Sequence, residues 1–276
     1  MSAQLQRALA FQALHQREGC FVLPNPWDAG SAKALAGLGF EALATTSAGL
    51  AFSLGRADGA NRVSREETLA NARAIIEATG LPVAADLENG FGDSPADCAE
   101  TIILAARAGL VGGSIEDASG RPDAPIYPFE LAVERIQAAV AAARSLPFPF
   151  LLCARAENFL HGRADLDDTI RRLQAYAEAG ADVLFAPGLT TAEQIEAVVR
   201  AVAPTPVNVV MGLAAARFSV AELSALGVKR VSLGSSLARA AFGAFLRAAE
   251  EVHSHGTFDF AEQAAPFARV NALFET

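Results

Sequence analysis

No cluster of basic residues and no long uninterrupted apolar run occurs in this 276-residue chain, and histidine, lysine and cysteine are all scarce. The missing basic run and a formal net charge of −9 exclude a nucleic-acid surface. Apolar segments are broken by charges or glycines before they reach membrane-spanning length. The N-terminus, SAQLQRALAFQALHQREG, has neither the apolar block nor the cleavage site of a signal peptide, so no leader is expected. Cys20, Cys98 and Cys153 are odd in number and far apart. They show no metal-site spacing, and they point to a reducing, cytoplasmic setting.

What the chain does have is apolar bulk: 52% of residues are hydrophobic and 19% charged, which suffices for a large core. Leu5, Ala8, Leu9 and Ala13 place an N-terminal helix ahead of the repeating pattern. Strand-like runs then appear at 20–28, 41–47, from Leu81 to Asp86 and Glu88, and at 111–115, 148–153, 182–186, 207–211 and 230–233. Helical patterns separate them, opened by capping boxes at Ser64/Glu67, Thr191/Gln194 and Ser219/Glu222 and by Ser94–Pro95. A long polar loop is expected after the second strand. An amphipathic segment is expected over 258–274. Eight strand-then-helix units with short connections predict a (β/α)8 TIM-type barrel, class α/β, with an extra N-terminal helix and a C-terminal helical extension. No dinucleotide glycine fingerprint follows the first strand, and no linker divides residues 1–276 into domains.

Such a barrel carries its active site at the C-terminal ends of its strands. LPVAADLENGFGD places Asp86 and Glu88 two residues apart, hence on one face of the third strand end. The fourth strand ends in Glu116 and Asp117, of which Glu116 is preferred for the site, and the fifth ends at Arg155. Like carboxylates repel one another unless a cation sits among them, and hard oxygen ligands suit Mg2+ or Mn2+. Arg155 is either a structural ion-pair partner of these acids or a fork for a substrate carboxylate. Lys33 lies in the first barrel helix and Lys229 precedes the eighth strand, so a Schiff-base lysine at the mouth is not available. His15, His161, His253 and His255 all miss the strand ends, which argues against a histidine-ligated zinc hydrolase. No serine sits in a G-x-S-x-G elbow.

PNPWDAGSA (24–32), ATTSAGLAFSLGRADG (44–59), ADLENGFGD (85–93), SIED (114–117) and AYAEAGADVLFAPG (175–188), in this order, resemble the isocitrate lyase and phosphoenolpyruvate mutase superfamily over almost the whole chain. The resemblance implies a barrel whose last helix is swapped between the subunits of a homo-oligomer, a tetramer or dimer, and a Mg2+ or Mn2+ cofactor with an enolate intermediate. By the same resemblance Asp86 is the metal-binding aspartate, and Glu88 and Glu116 hold the metal largely through water. Asp58 lies near the metal. Ser47, Ala48 and Gly49, with Asn208, match substrate-binding positions, and Arg155 matches the substrate-binding arginine. Asp58, Glu116 and Arg155 are the expected catalytic set.

The chain also departs from the family pattern. The lyases' KKCGH motif with its catalytic cysteine is missing, and Asn208 is followed by VVMG rather than a serine–proline–serine stretch. The mutases' lysine-bearing loop is replaced by ASGRPDAPIYP (118–128), and Pro187 stands where they carry a histidine. The closest resemblance is to the oxaloacetate decarboxylase-like, or phosphonomutase-like, branch. The expected activity is metal-dependent carbon–carbon lysis of a small 2-oxo or 2-hydroxy dicarboxylate such as oxaloacetate, with Tyr127 a candidate proton donor. The alternatives are phosphoryl migration on phosphoenolpyruvate or phosphonopyruvate, and a non-catalytic barrel that binds a 2-oxo acid. No membrane or nucleic-acid partner is expected.

Overall fold

The structure is a computed structural model that describes residues 2–59, 61–212 and 216–275. Its centre is one eight-stranded parallel sheet: β1 (Phe21–Leu23), β2 (Leu43–Ala44), β3 (Val83–Asp86), β4 (Gly112–Glu116), β5 (Leu151–Arg155), β6 (Val183–Phe185), β7 (Val207–Val210) and β8 (Arg230–Ser232). The order runs β1–β8–β7–β6–β5–β4–β3–β2. The ends approach each other where the Ala44 N–H donates to the Pro24 carbonyl at 3.0 Å, so the sheet forms a nearly closed (β/α)8 barrel. The helices are α1 (Ala3–Gln16), α2 (Ala29–Gly37), α3 (Ser47–Ser53), α4 (Arg65–Thr79), α5 (Pro95–Arg107), α6 (Phe129–Arg144), α7 (Leu166–Glu178), α8 (Ala192–Val202), α9 (Val220–Ala225), α10 (Ser236–His255) and α11 (Phe267–Ala272).

Local chemistry sets the helix boundaries. The boxes read at Ser64/Glu67, Thr191/Gln194 and Ser219/Glu222 all form, and Ser94/Asp97 makes a further one with Pro95 in the first turn. Each box satisfies amide donors that have no partner within the helix. Gly80 ends α4 at φ +68°, a left-handed conformation that costs glycine little. The second strand differs from its reading. It covers only Leu43–Ala44, and the first part of the expected loop is α3. Thr46 caps this helix, its hydroxyl accepting from the Gly49 N–H at 3.3 Å. Two adjacent β-branched threonines read as strand, and α3 is too short to show helical periodicity.

Two apolar layers hold the barrel. The larger lies between strands and helices and includes Ile75, Ile102, Ile136, Leu152 and Val198. The second fills the N-terminal end of the barrel, where Ala8, Phe11 and Leu14 of α1 pack on Phe21, Ala84 and Leu151. That plug leaves the C-terminal end open for a site. α10 stands apart: of its residues only Ala238 is buried, while Phe245 is 64% exposed and Phe267 of α11 is 85% exposed.

Candidate active site

A cavity of about 210 Å³ opens inside the barrel at the C-terminal ends of the strands. Its size suits a small metabolite rather than a drug-sized or nucleotide ligand. The barrel is hollow here because Ala44, Ala84, Gly113, Ser114 and Cys153 line it, in place of the bulky branched residues that usually fill such an interior. Asp58, Asp86, Arg155, Ser47, Ala48 and Asn208 also line it.

Arg155 organises the acids. Its Nη1 donates to Asp86 Oδ1 at 3.1 Å and its Nε to Glu157 Oε1 at 2.8 Å, and its Nη2 lies 3.1 Å from Glu116 Oε2. The in-register pairing of Glu116 with Arg155 on β4 and β5 puts the last two side by side. Asp86 is fixed through its backbone, its N–H donating to the Thr45 hydroxyl at 3.0 Å. Asp86 Oδ1 also accepts from the Glu88 N–H at 3.2 Å. Glu88 sits at φ +47°, a conformation that costs a side-chain-bearing residue energy and is found at functional sites. Asn25 ties the rim together: its amide donates to the Thr45 carbonyl, and its Oδ1 accepts from the Leu233 and Gly234 amides.

The acids crowd one another. Burial, and then the charges of Asp86 and Asp58, push Glu88 up to about 7. Burial and the Asp86 charge raise Asp58, against a hydrogen bond from Ser47. Burial raises Glu116 well above the usual carboxylate range, with Arg155 opposing and Glu157, Asp86 and Glu88 adding to it. One guanidinium does not neutralise this set. The donors fit a hard divalent cation: oxygen atoms only, with charge to spare. Among the described residues, no three acidic, histidine or cysteine side chains are grouped to hold an ion unaided. Mg2+ commonly binds through one or two carboxylates and keeps water and substrate as its other ligands. Asp86 would be the direct ligand, with Glu88, Glu116 and Asp58 acting through water.

Glu88 and Glu116 are not among the residues that line the cavity, and other residues read from the sequence also fall elsewhere. Gly49 does not line the cavity; its N–H is taken by Thr46, and a Cβ there would meet Thr46 and Trp27 at 2.6 and 2.9 Å. Asp117 is buried and structural, accepting from Tyr176 at 2.7 Å, Arg172 at 3.0 Å and the Glu157 N–H at 2.8 Å. Tyr127 also lies outside the cavity. Its hydroxyl donates to Asp93 at 2.6 Å, and burial together with that bond raises it to about 12, which makes it a poor proton donor. Glu157, Asn25 and Arg230 were not singled out by sequence. Glu157 had a signal, since it stands two residues beyond Arg155. Arg230 had one too: with Ser232 it alternates against Val231 and Leu233, which puts polar groups on one strand face.

Residues 11–253 match the phosphoenolpyruvate phosphomutase family. A crystal structure from Burkholderia cenocepacia, assigned in general terms as a lyase or mutase, is 61% identical, with a TM-score of 0.96 over 99% of this chain and 97% of that one. The 2-methylisocitrate lyase of Escherichia coli is 32% identical over 253 residues, covering 89% of this chain and 82% of the lyase. An oxaloacetate acetylhydrolase in complex with oxalate is 27% identical, with a TM-score of 0.86 over 98% of this chain and 94% of that one.

Proposed function

The chain belongs to the phosphoenolpyruvate phosphomutase family, and from that membership we propose that it is a Mg2+- or Mn2+-dependent carbon–carbon lyase acting on a small 2-oxo or 2-hydroxy dicarboxylate. The observation that carries this reading is Arg155 on the wall of a cavity of about 210 Å³, with Asp86 and Asp58 also lining it and Glu116 and Glu157 paired to the same guanidinium behind that wall. A bound divalent cation supplies positive charge for an oxygen that becomes negative during cleavage. The chain's own residues do the rest. Asp86 anchors the cation end of the site. Ser47 and Ala48 line the cavity at the start of α3, where their backbone N–H groups would serve as donors to a carboxylate while the Ser47 hydroxyl bonds Asp58. Arg155 keeps the acids apart and in register, and the small cavity holds the substrate away from bulk water. No cysteine acid is present at the rim: Cys153 lies inside the barrel with its thiol raised by burial, and Cys98 is buried under the β3 loop. That composition favours substrates whose cleavage does not need a thiol proton donor.

Oxaloacetate is the substrate to test first, since a relative of the same fold acts on it by name. With Mg2+, the purified protein is expected to consume one member of a panel of 2-oxo and 2-hydroxy di- and tricarboxylates faster than metal alone does. Pyruvate, glyoxylate and oxalate release is the readout. No excess with any member would remove the lyase reading, and a carbon–phosphorus resonance from phosphoenolpyruvate in a phosphorus NMR assay would replace it with phosphoryl migration. The apolar exposed faces of α10 and α11 support a homo-oligomer in which the last barrel helix packs on a second copy.

A further inference from the structure

Among the described residues three arginines are buried, Arg135, Arg172 and Arg230, and of these only Arg230 lines the cavity. Its position follows from the sheet. Register carries one row of residues from Glu116 to Arg155, Phe185, Asn208 and then Arg230. Strand tilt takes that row from the mouth towards the closed end of the barrel. There Arg230 meets His15 of α1, its Nη1 lying 3.4 Å from His15 Nε2. Its Nε donates to Asn208 Oδ1 at 2.7 Å, and Asn208 Nδ2 donates to the Ser232 hydroxyl at 2.9 Å. The Cys153 thiol lines the same cavity. All these partners are neutral. Among the described residues Arg230 has no ion-pair partner, whereas Arg155 has three.

A buried cation without a counter-charge is costly to hold. This one faces an open cavity, and Asn208 fixes the plane of its guanidinium. We propose that Arg230, oriented by Asn208, is a specificity-determining residue that binds a second substrate carboxylate on the cavity floor. The inference rests on the dicarboxylate reading above and gives it a direction, with one carboxylate at the Asp86 and Arg155 end and the other deep in the barrel. Loss of CO2 takes negative charge off the departing carboxylate and leaves the bonding pair on the neighbouring carbon. An arginine fork on that group opposes the loss. The carboxylate at Arg230 is therefore one that survives turnover, and the bond that breaks lies elsewhere in the substrate.

Binding, rather than turnover, tests this, so the result stands whether or not a panel substrate is cleaved. Malate and 2-hydroxybutyrate differ only in a carboxylate for a methyl group. Calorimetry with Mg2+ is expected to show wild type binding malate at least about tenfold more tightly. Arg230→Met and Arg230→Gln should each reduce the ratio to within about twofold by losing malate affinity, with 2-hydroxybutyrate unchanged. Arg230→Lys should keep most of the preference. A wild-type protein with no preference, or a folded Arg230→Met or Arg230→Gln that retains it, overturns the proposal. A crystal of wild type with malate decides it without a variant: a carboxylate oxygen within hydrogen-bond distance of the Arg230 guanidinium is expected, and malate bound with none there contradicts it. A protein that shows the preference and the contact but cleaves nothing leaves the subsite standing and removes only the lyase reading.

Discussion

Arg155 shows how far a single residue can be read. Its place at the end of the fifth strand and its two candidate roles were legible from sequence. The structure adds that Nε, Nη1 and Nη2 each face an acid, so little of its charge is left for a substrate. Glu157, 3% exposed, is the acid among the three that does not belong to the proposed cation set. Its charge shares the Arg155 guanidinium with Asp86 and Glu116. Replacing it by glutamine keeps an acceptor for Nε and removes that charge, so Arg155 then draws more on the other two. Glu157→Gln is therefore expected to weaken Mg2+ binding about 3- to 10-fold, a loss on the order of 1 kcal/mol, measured by calorimetry. Unchanged affinity would mean that Arg155 and the cation do not share these acids. Sequence could not supply this, because which acids an arginine meets depends on strand register, and one residue of slip changes every partner.

At the scale of elements, α1 is the informative piece. The spacing of Leu5, Ala8, Leu9 and Ala13 made the helix legible but not its buried face: Leu9 is 41% exposed and Ala13 is exposed, while Ala8, Phe11 and Leu14 are buried. Phe11 and Leu14 close the barrel, and His15 comes with them, edge-on to Phe11 and Phe21. His15 Nδ1 donates to the Phe11 carbonyl at 2.9 Å and Nε2 faces the Arg230 guanidinium, so the ring is neutral. Burial first, and then the Arg230 charge, lower it from 6.5 to about 3. The sign follows from linkage. Between those values the unfolded chain takes up a proton that the folded chain refuses, so stability falls as pH drops below about 6.5. Each proton so linked is worth about 1.4 kcal/mol per pH unit. Chemical denaturation at pH 7 and pH 5 should show wild type losing about 2 kcal/mol more than His15→Gln over that interval. Equal losses would show that His15 titrates in the folded protein. α3 marks the opposite limit. Its cap Thr46 and its glycine at 49 are visible in sequence, yet a helix of two turns carries too few residues for its period to stand out against a strand.

For the whole molecule, the alternation of strand and helix was enough to predict the barrel, because helices must cover both the length and the circumference of a parallel sheet. The hollow interior was not predicted. It results from small residues on β2 to β5, Ala44, Ala84, Gly113, Ser114 and Cys153, none of them read from the sequence as cavity-forming, which together leave room for a ligand and expose Arg155 and Arg230 to it. No described helix is long and apolar enough to cross a membrane. Among the described residues, most of the large apolar side chains left exposed lie on α10, on α11 and in the segments between and after them. In the proposed function, acids at the strand ends would hold a divalent cation that supplies positive charge during carbon–carbon cleavage. The most direct measurement is turnover of the fastest panel dicarboxylate by wild type and Asp86→Ala, first in EDTA and then with Mg2+ restored. Wild-type turnover is expected to fall to background in EDTA and return with Mg2+, and Asp86→Ala to stay at least about 100-fold lower with Mg2+ present. Full turnover in EDTA, or an Asp86→Ala protein as active as wild type, would contradict the account.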